Sequence, residues 1–184
     1  KKLSIEGKGQ IKLQNKFEII NYKIINNGSD LNLVSNIELS ELDIKNQNLI
    51  KEYLPKTKDI LNLKDHKIRA SYANNKLKIE GKGQVKLQNK FEIINYKIIN
   101  NGSDLNLVSN IELSELDIKN QNLIKEYLPK TKDILNLKDH KIRASYANNK
   151  LKIEGKGQVK LQNKFEIIDY KVINNGSDLN LASN

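Results

Sequence analysis

The chain is one sequence written more than twice. Residues 2–75 recur as residues 76–149 with two changes, Lys78 standing for Ser4 and Val85 for Ile11, and residues 150–184 open a third copy that stops about halfway. Copies this similar must adopt one conformation and meet through equivalent surfaces, so the body grows along one direction. That is the logic of a surface or a conduit. An active site, by contrast, is normally assembled once from unlike groups, which points to a non-catalytic role. We read the units as 1–75, 76–149 and 150–184, all parts of one continuous body. Met is absent and Lys1 falls inside a strand pattern, so the expectation is a stretch of a longer protein, with any leader or anchor outside it.

The repeating unit is dominated by a period of two. Leu3, Ile5, Gly7, Gly9, Ile11 and Leu13 occupy one parity and Ser4, Glu6, Lys8, Gln10, Lys12 and Gln14 the other, which describes a half-buried strand. Both glycines fall on the apolar face, where the missing side chain lets the strand bend or another group come close. Asn15-Lys16 reads as a tight turn. Phe17 and Ile19 then follow one parity and Ile20, Tyr22 and Ile24 the other, which suggests a bulge between Ile19 and Ile20. Asn27-Gly28 is a hairpin signal, and Leu31, Leu33, Ile37 and Leu39 bring the chain back, with a second slip before Leu42.

From Asn46 the pattern becomes helical: Leu49, Ile50, Tyr53 and Leu54 form a short amphipathic stripe that Pro55 ends. Residues 56–66 read as an irregular connection, and Ile68, Ala70 and Tyr72 alternate again before Asn74-Asn75 turns into the next unit. The expected strands are therefore 2–14, 17–26, 30–44 and 67–73, with one short helix inserted per unit. An even strand count lets an antiparallel meander extend by translation. The fold class expected is mainly β: a tandem-repeat, twisted antiparallel sheet, groove- or taco-like, with one apolar face.

Net charge is +10, a value that raises anionic partners. The lysines are interleaved with acids, as in Glu6-Gly7-Lys8, and no block of five like charges occurs, so a solvated mixed-charge surface is the better reading and nucleic acid is not expected as a partner. With no Cys, disulfides and thiolate metal sites are excluded. No apolar run approaches the length of a membrane-spanning helix. Gly7-Lys8-Gly9-Gln10 lacks the rest of any phosphate-loop pattern and sits within a strand. His66 and His140 are one position in two units and read as surface residues of a connector. Glu41 and Asp43 read as outward, solvated carboxylates, and Asn27-Gly28-Ser29 as a turn. No catalytic residue, cofactor or metal is expected.

What remains is the apolar stripe. The candidate ligand-facing residues are Leu3, Ile5, Ile11, Leu13, Phe17, Ile19, Tyr22 and Ile24 in the first unit, and Leu77, Ile79, Val85, Leu87, Phe91, Ile93, Tyr96 and Ile98 in the second. Closed tightly, the stripe is an ordinary core; left open, it is an apolar track.

The succession of residues 37–44 (IELSELDI), Tyr53-Leu54-Pro55, residues 68–72 (IRASY) and residues 77–85 (LKIEGKGQV) resembles the repeating region of AsmA-like bacterial envelope proteins with DUF3971-type repeats, the YhdP- and TamB-like branch. The resemblance covers essentially all of each unit. It implies a protein of the periplasm or cell envelope whose curled sheet carries phospholipid acyl chains between inner and outer membranes, with the candidates above lining the groove. The departure is the near-identity of the copies, since repeats in that family usually diverge. The competing expectation is a structural β-repeat stalk of a bacterial surface adhesin or autotransporter, placed at the cell surface. Self-association through sheet edges is open to either.

Overall fold

A computed structural model describes residues 2–45, 60–119, 132–161, 163–175 and 179–183. They form eleven strands: β1 (Leu3–Leu13), β2 (Lys16–Asn26), β3 (Leu31–Lys45), β4 (Ile60–Ala73), β5 (Lys76–Leu87), β6 (Lys90–Asn100), β7 (Leu105–Lys119), β8 (Ile134–Ala147), β9 (Lys150–Leu161), β10 (Lys164–Asn174) and β11 (Leu179–Ser183). The spatial order equals the sequence order, so this is one open antiparallel meander with β1 and β11 at its edges. Registers repeat with the sequence. Leu3 faces Asn26, Leu77 faces Asn100 and Leu151 faces Asn174, so corresponding strands pair identically in each unit.

Turn chemistry sets these registers. Asn74 and Asn75 both adopt positive φ, as do Asn148 and Asn149, which is the two-residue hairpin geometry that asparagine tolerates. The first hairpin turns at Gln14-Asn15, one residue earlier than expected. The Asn27-Gly28 signal becomes a four-residue loop, in which Asn27 N–H donates to the Asp30 carbonyl (3.0 Å), Gly28 N–H donates to Asn26 Oδ1 (2.7 Å) and Gly28 takes φ of 99°.

Two expectations are corrected. No bulge separates Ile19 from Ile20: β1 and β2 pair without interruption from Leu3–Asn26 to Leu13–Lys16, so both isoleucines lie within one regular strand, on opposite faces. The fourth strand begins at Ile60 and not near 67, because residues 60–66 pair with the far end of β3. The bulge of each unit sits in that added stretch, between Lys64 and Lys67, where Asp65 has φ of 53° and the register against β5 slips by one. The short helix expected around residues 49–55 lies outside the described residues; among the described residues there is no helix.

The bulge is what keeps the apolar side chains on one face. Leu61 and Leu63 precede it and His66, Ile68, Ala70 and Tyr72 follow it; without the extra residue these two sets would point to opposite sides. That face carries the core. Leu113, Leu116, Leu135, Leu137 and Val159 are buried together, with Leu87, Ile111, Ile118, Ile142, Leu161 and Ile168 packed against them. One repeat earlier, at the junction of the first and second units, Leu39, Leu61 and Val85 are the buried counterparts.

Candidate functional site

On the apolar face each unit divides into three zones along its strands. At the end near the four-residue loop, Ile5, Ile24, Leu33, Tyr72 and Leu77 are successive cross-strand neighbours, and Ile79, Ile98, Leu107, Tyr146 and Leu151 repeat the row one unit on. Most of these side chains are half-buried. Leu3, Leu31, Leu77 and Leu105, at the strand starts, are 37–58% exposed, so this zone is an apolar strip that no other part of the described residues covers. The opposite end is the packed core described above.

Between the two lies a waist of rings set on glycine. Tyr96 lies over Gly81 and His66 over Gly83, in contacts so close that a Cβ on either glycine would collide with the ring. The two rings are 5.9 Å apart at a 34° tilt. His66 Nε2 lies 2.9 Å from the Gln84 carbonyl, which can only accept, so that nitrogen carries the proton; Nδ1 then accepts from the Tyr96 hydroxyl at 3.4 Å. His140, Tyr170, Gly155 and Gly157 repeat the arrangement, with Nε2 2.8 Å from the Gln158 carbonyl. The expectation of surface histidines is thus corrected: both are 1% exposed. The bulge at Asp65 turns His66 inward, and the alternating sequence pattern cannot show a bulge whose extra residue is polar. Burial lowers the His140 pKa, against the opposing effects of the Gln158 hydrogen bond and the Asp139 charge. Burial raises Tyr96 and takes Tyr170 to about 12.

A buried carboxylate also escaped the sequence reading. Glu18 is 2% exposed on the apolar face, where it accepts from Ser40 N–H and Ser40 Oγ–H, both at 2.7 Å. Glu92 does the same with Ser114, both bonds at 2.8 Å. Burial pushes the Glu18 carboxyl up, but the bonds from Ser40 and the Glu41 N–H, with the Lys16 charge, hold it below its ordinary value. The only sequence signal was a Glu at an apolar parity position of a strand.

The sixteen candidate residues do not share a face. Leu3, Ile5, Ile11, Leu13, Tyr22 and Ile24 lie on the apolar side, as do Leu77, Ile79, Val85, Leu87, Tyr96 and Ile98. Phe17, Ile19, Phe91 and Ile93 lie on the other. There Lys64 and Lys86 flank the Phe91 ring at 5.5 and 5.4 Å, and Lys12 stands 5.9 Å from Phe17. Within the first group, Val85 and Leu87 belong to the packed end and Tyr96 to the waist, so the open strip is formed by Leu3, Ile5, Ile24, Leu77, Ile79 and Ile98 with β3, β4, β7 and β8.

The other face carries charged side chains, with Ile99 and Val108 among them. A shallow trough of about 840 Å³ is walled by Lys67, Arg69, Lys82, Lys97, Glu38 and Glu80, and one of about 670 Å³ recurs a unit later around Lys141, Arg143, Lys156 and Glu154. Its charges pair locally, as in Lys78–Glu80 (2.8 Å) and Lys97–Glu80 (3.7 Å). Among the described residues no three His, Asp or Glu side chains group as a metal site. No protein-family model, no curated protein and no solved structure matches the chain.

Proposed function

We propose that this chain is a non-catalytic, extensible module of a bacterial envelope protein of the AsmA-like kind, whose apolar strip holds phospholipid acyl chains on their way between inner and outer membranes. The observation that carries the reading is the uncovered row Ile5–Ile24–Leu33–Tyr72–Leu77 and its copy Ile79–Ile98–Leu107–Tyr146–Leu151. A row that recurs with the unit gives an acyl chain equivalent sites at successive positions, which is what sliding along a sheet needs. Curling of the sheet into a groove would shield the strip from water. The polar face, with charges of both signs, would meet solvent in the periplasm.

The second reading, a structural stalk at the cell surface, is favoured by the packed end of the face. There Leu113, Leu116, Leu135, Leu137 and Val159 are buried against one another, and the sockets over Gly7, Gly81, Gly83, Gly155 and Gly157 are filled by the chain's own rings. Native mass spectrometry with lipid extraction, on protein purified gently from bacterial cells, separates the two. Bound phospholipid, removable by delipidation and restored on adding lipid, supports transport. A bare protein mass that takes up no added phospholipid or fluorescent fatty acid supports the stalk.

A further inference from the structure

Gly9, Gly83 and Gly157 are one position in three units. Gly83 lies beneath His66 and Gly157 beneath His140, each histidine arriving from the strand on the outer side of the glycine strand, whereas a Cβ on Gly9 would meet nothing within 4 Å. The difference follows from position. β5 and β9 are interior strands flanked by β4 and β8, while β1 is an edge of the sheet, with no strand beside its outer side among the described residues. The rest of the socket is in place at β1: Tyr22 lies over Gly7 as Tyr96 lies over Gly81.

We infer that the outer edge of β1 is a specific receptor for a strand of the β4 sequence, supplied by a further copy of the 74-residue unit, and that its histidine enters the socket over Gly9. The register is dictated by the two interfaces already formed. Tyr72, Ala70, Arg69 and Ile68 face Leu77, Ile79, Glu80 and Gly81, and the same partners recur at β8–β9, so the incoming residues would face Leu3, Ile5, Glu6 and Gly7. The incoming arginine then meets Glu6 and the incoming histidine Nδ1 meets the Tyr22 hydroxyl. Backbone pairing gives the affinity of such an added strand, and the histidine socket gives its specificity. The inference does not depend on the lipid reading.

The test uses the full chain and a fluorescently labelled synthetic peptide with the sequence of residues 60–73. Saturable binding by anisotropy is expected, together with slowed hydrogen exchange of the β1 amides and no change at β11. Gly9→Val should weaken binding at least tenfold with an unchanged circular dichroism spectrum, because the space above Gly9 is open in the chain alone. A peptide carrying His66→Ala should lose affinity to a similar degree. Absence of saturable binding with no added protection of β1 would overturn the proposal, and so would equal binding by the Gly9→Val protein or by a peptide of scrambled sequence.

Discussion

The His66 ring stands over Gly83, in the space a side chain at that position would need. Two residues distant in the sequence pattern, one in the bulge of β4 and one in the middle of β5, are thereby fixed against each other at the junction between units. The same contact joins His140 to Gly157. A repeat built on this contact tolerates drift in its polar residues better than drift in either partner.

Gly9→Ala and Gly83→Ala should therefore differ in sign. At Gly83 the added methyl meets His66, and relief requires the ring or a strand to shift, an overpacking penalty of about 1–3 kcal/mol. At Gly9 nothing lies within 4 Å, and losing a glycine from a strand interior stabilises by roughly 0.5–1 kcal/mol. Urea unfolding of the two variants reads the contrast directly, and equal destabilisation would contradict the socket.

Glu92→Gln should be more damaging than Glu166→Gln, although the two occupy the same position in successive units. Glu92 is buried and accepts from Ser114 N–H and Oγ–H, so removing its charge weakens charge-assisted bonds worth about 1.5–3 kcal/mol. Glu166 is exposed, and its substitution should stay within about 0.5 kcal/mol. Thermal melts of the two single variants decide the matter.

Acid should act in two steps. His140 has a lowered pKa in the folded chain, so the unfolded chain binds more protons once pH falls below about 6.5, and stability drops from there down to the folded value. Glu18 is also lowered, so the stability it contributes is present above its ordinary value near 4.5 and is lost as pH falls further. His140→Gln should flatten the upper step of a melting-temperature profile and leave the lower one. An upper step of unchanged size in that variant would remove His140 as its cause.

The repeat, the strand class and the meander order were legible because they rest on period and on an even strand count. Facing was legible only where alternation runs unbroken, as from Leu3 to Leu13. At Ile19-Ile20 two adjacent apolar residues look like a slip, yet the strand is regular and Ile19 simply lies between Gln10 and Glu38 on the polar face. At Asp65-His66 the converse holds: a real bulge is hidden because both residues are polar, and so the pattern makes the buried histidine look like a surface one. The glycines mark places of close approach in the sequence, but at Gly83 and Gly157 what approaches is a ring from a strand whose register depends on that hidden bulge.

Leu105→Asp tests the lipid strip where a charge need not unfold the sheet. Leu105 is 46% exposed at the start of β7, facing Asn100 on the apolar side, so its carboxylate can reach water while interrupting the strip. Ile93→Asp is the matched control. Ile93 is 40% exposed but lies on the polar face opposite Gln84 and Glu112, where no acyl chain would run. Uptake of a fluorescent fatty acid should fall at least fivefold in Leu105→Asp and stay near the parent value in Ile93→Asp, with both circular dichroism spectra unchanged. Equal loss in both variants would point to nonspecific adsorption, and loss in neither would remove the strip as the binding surface.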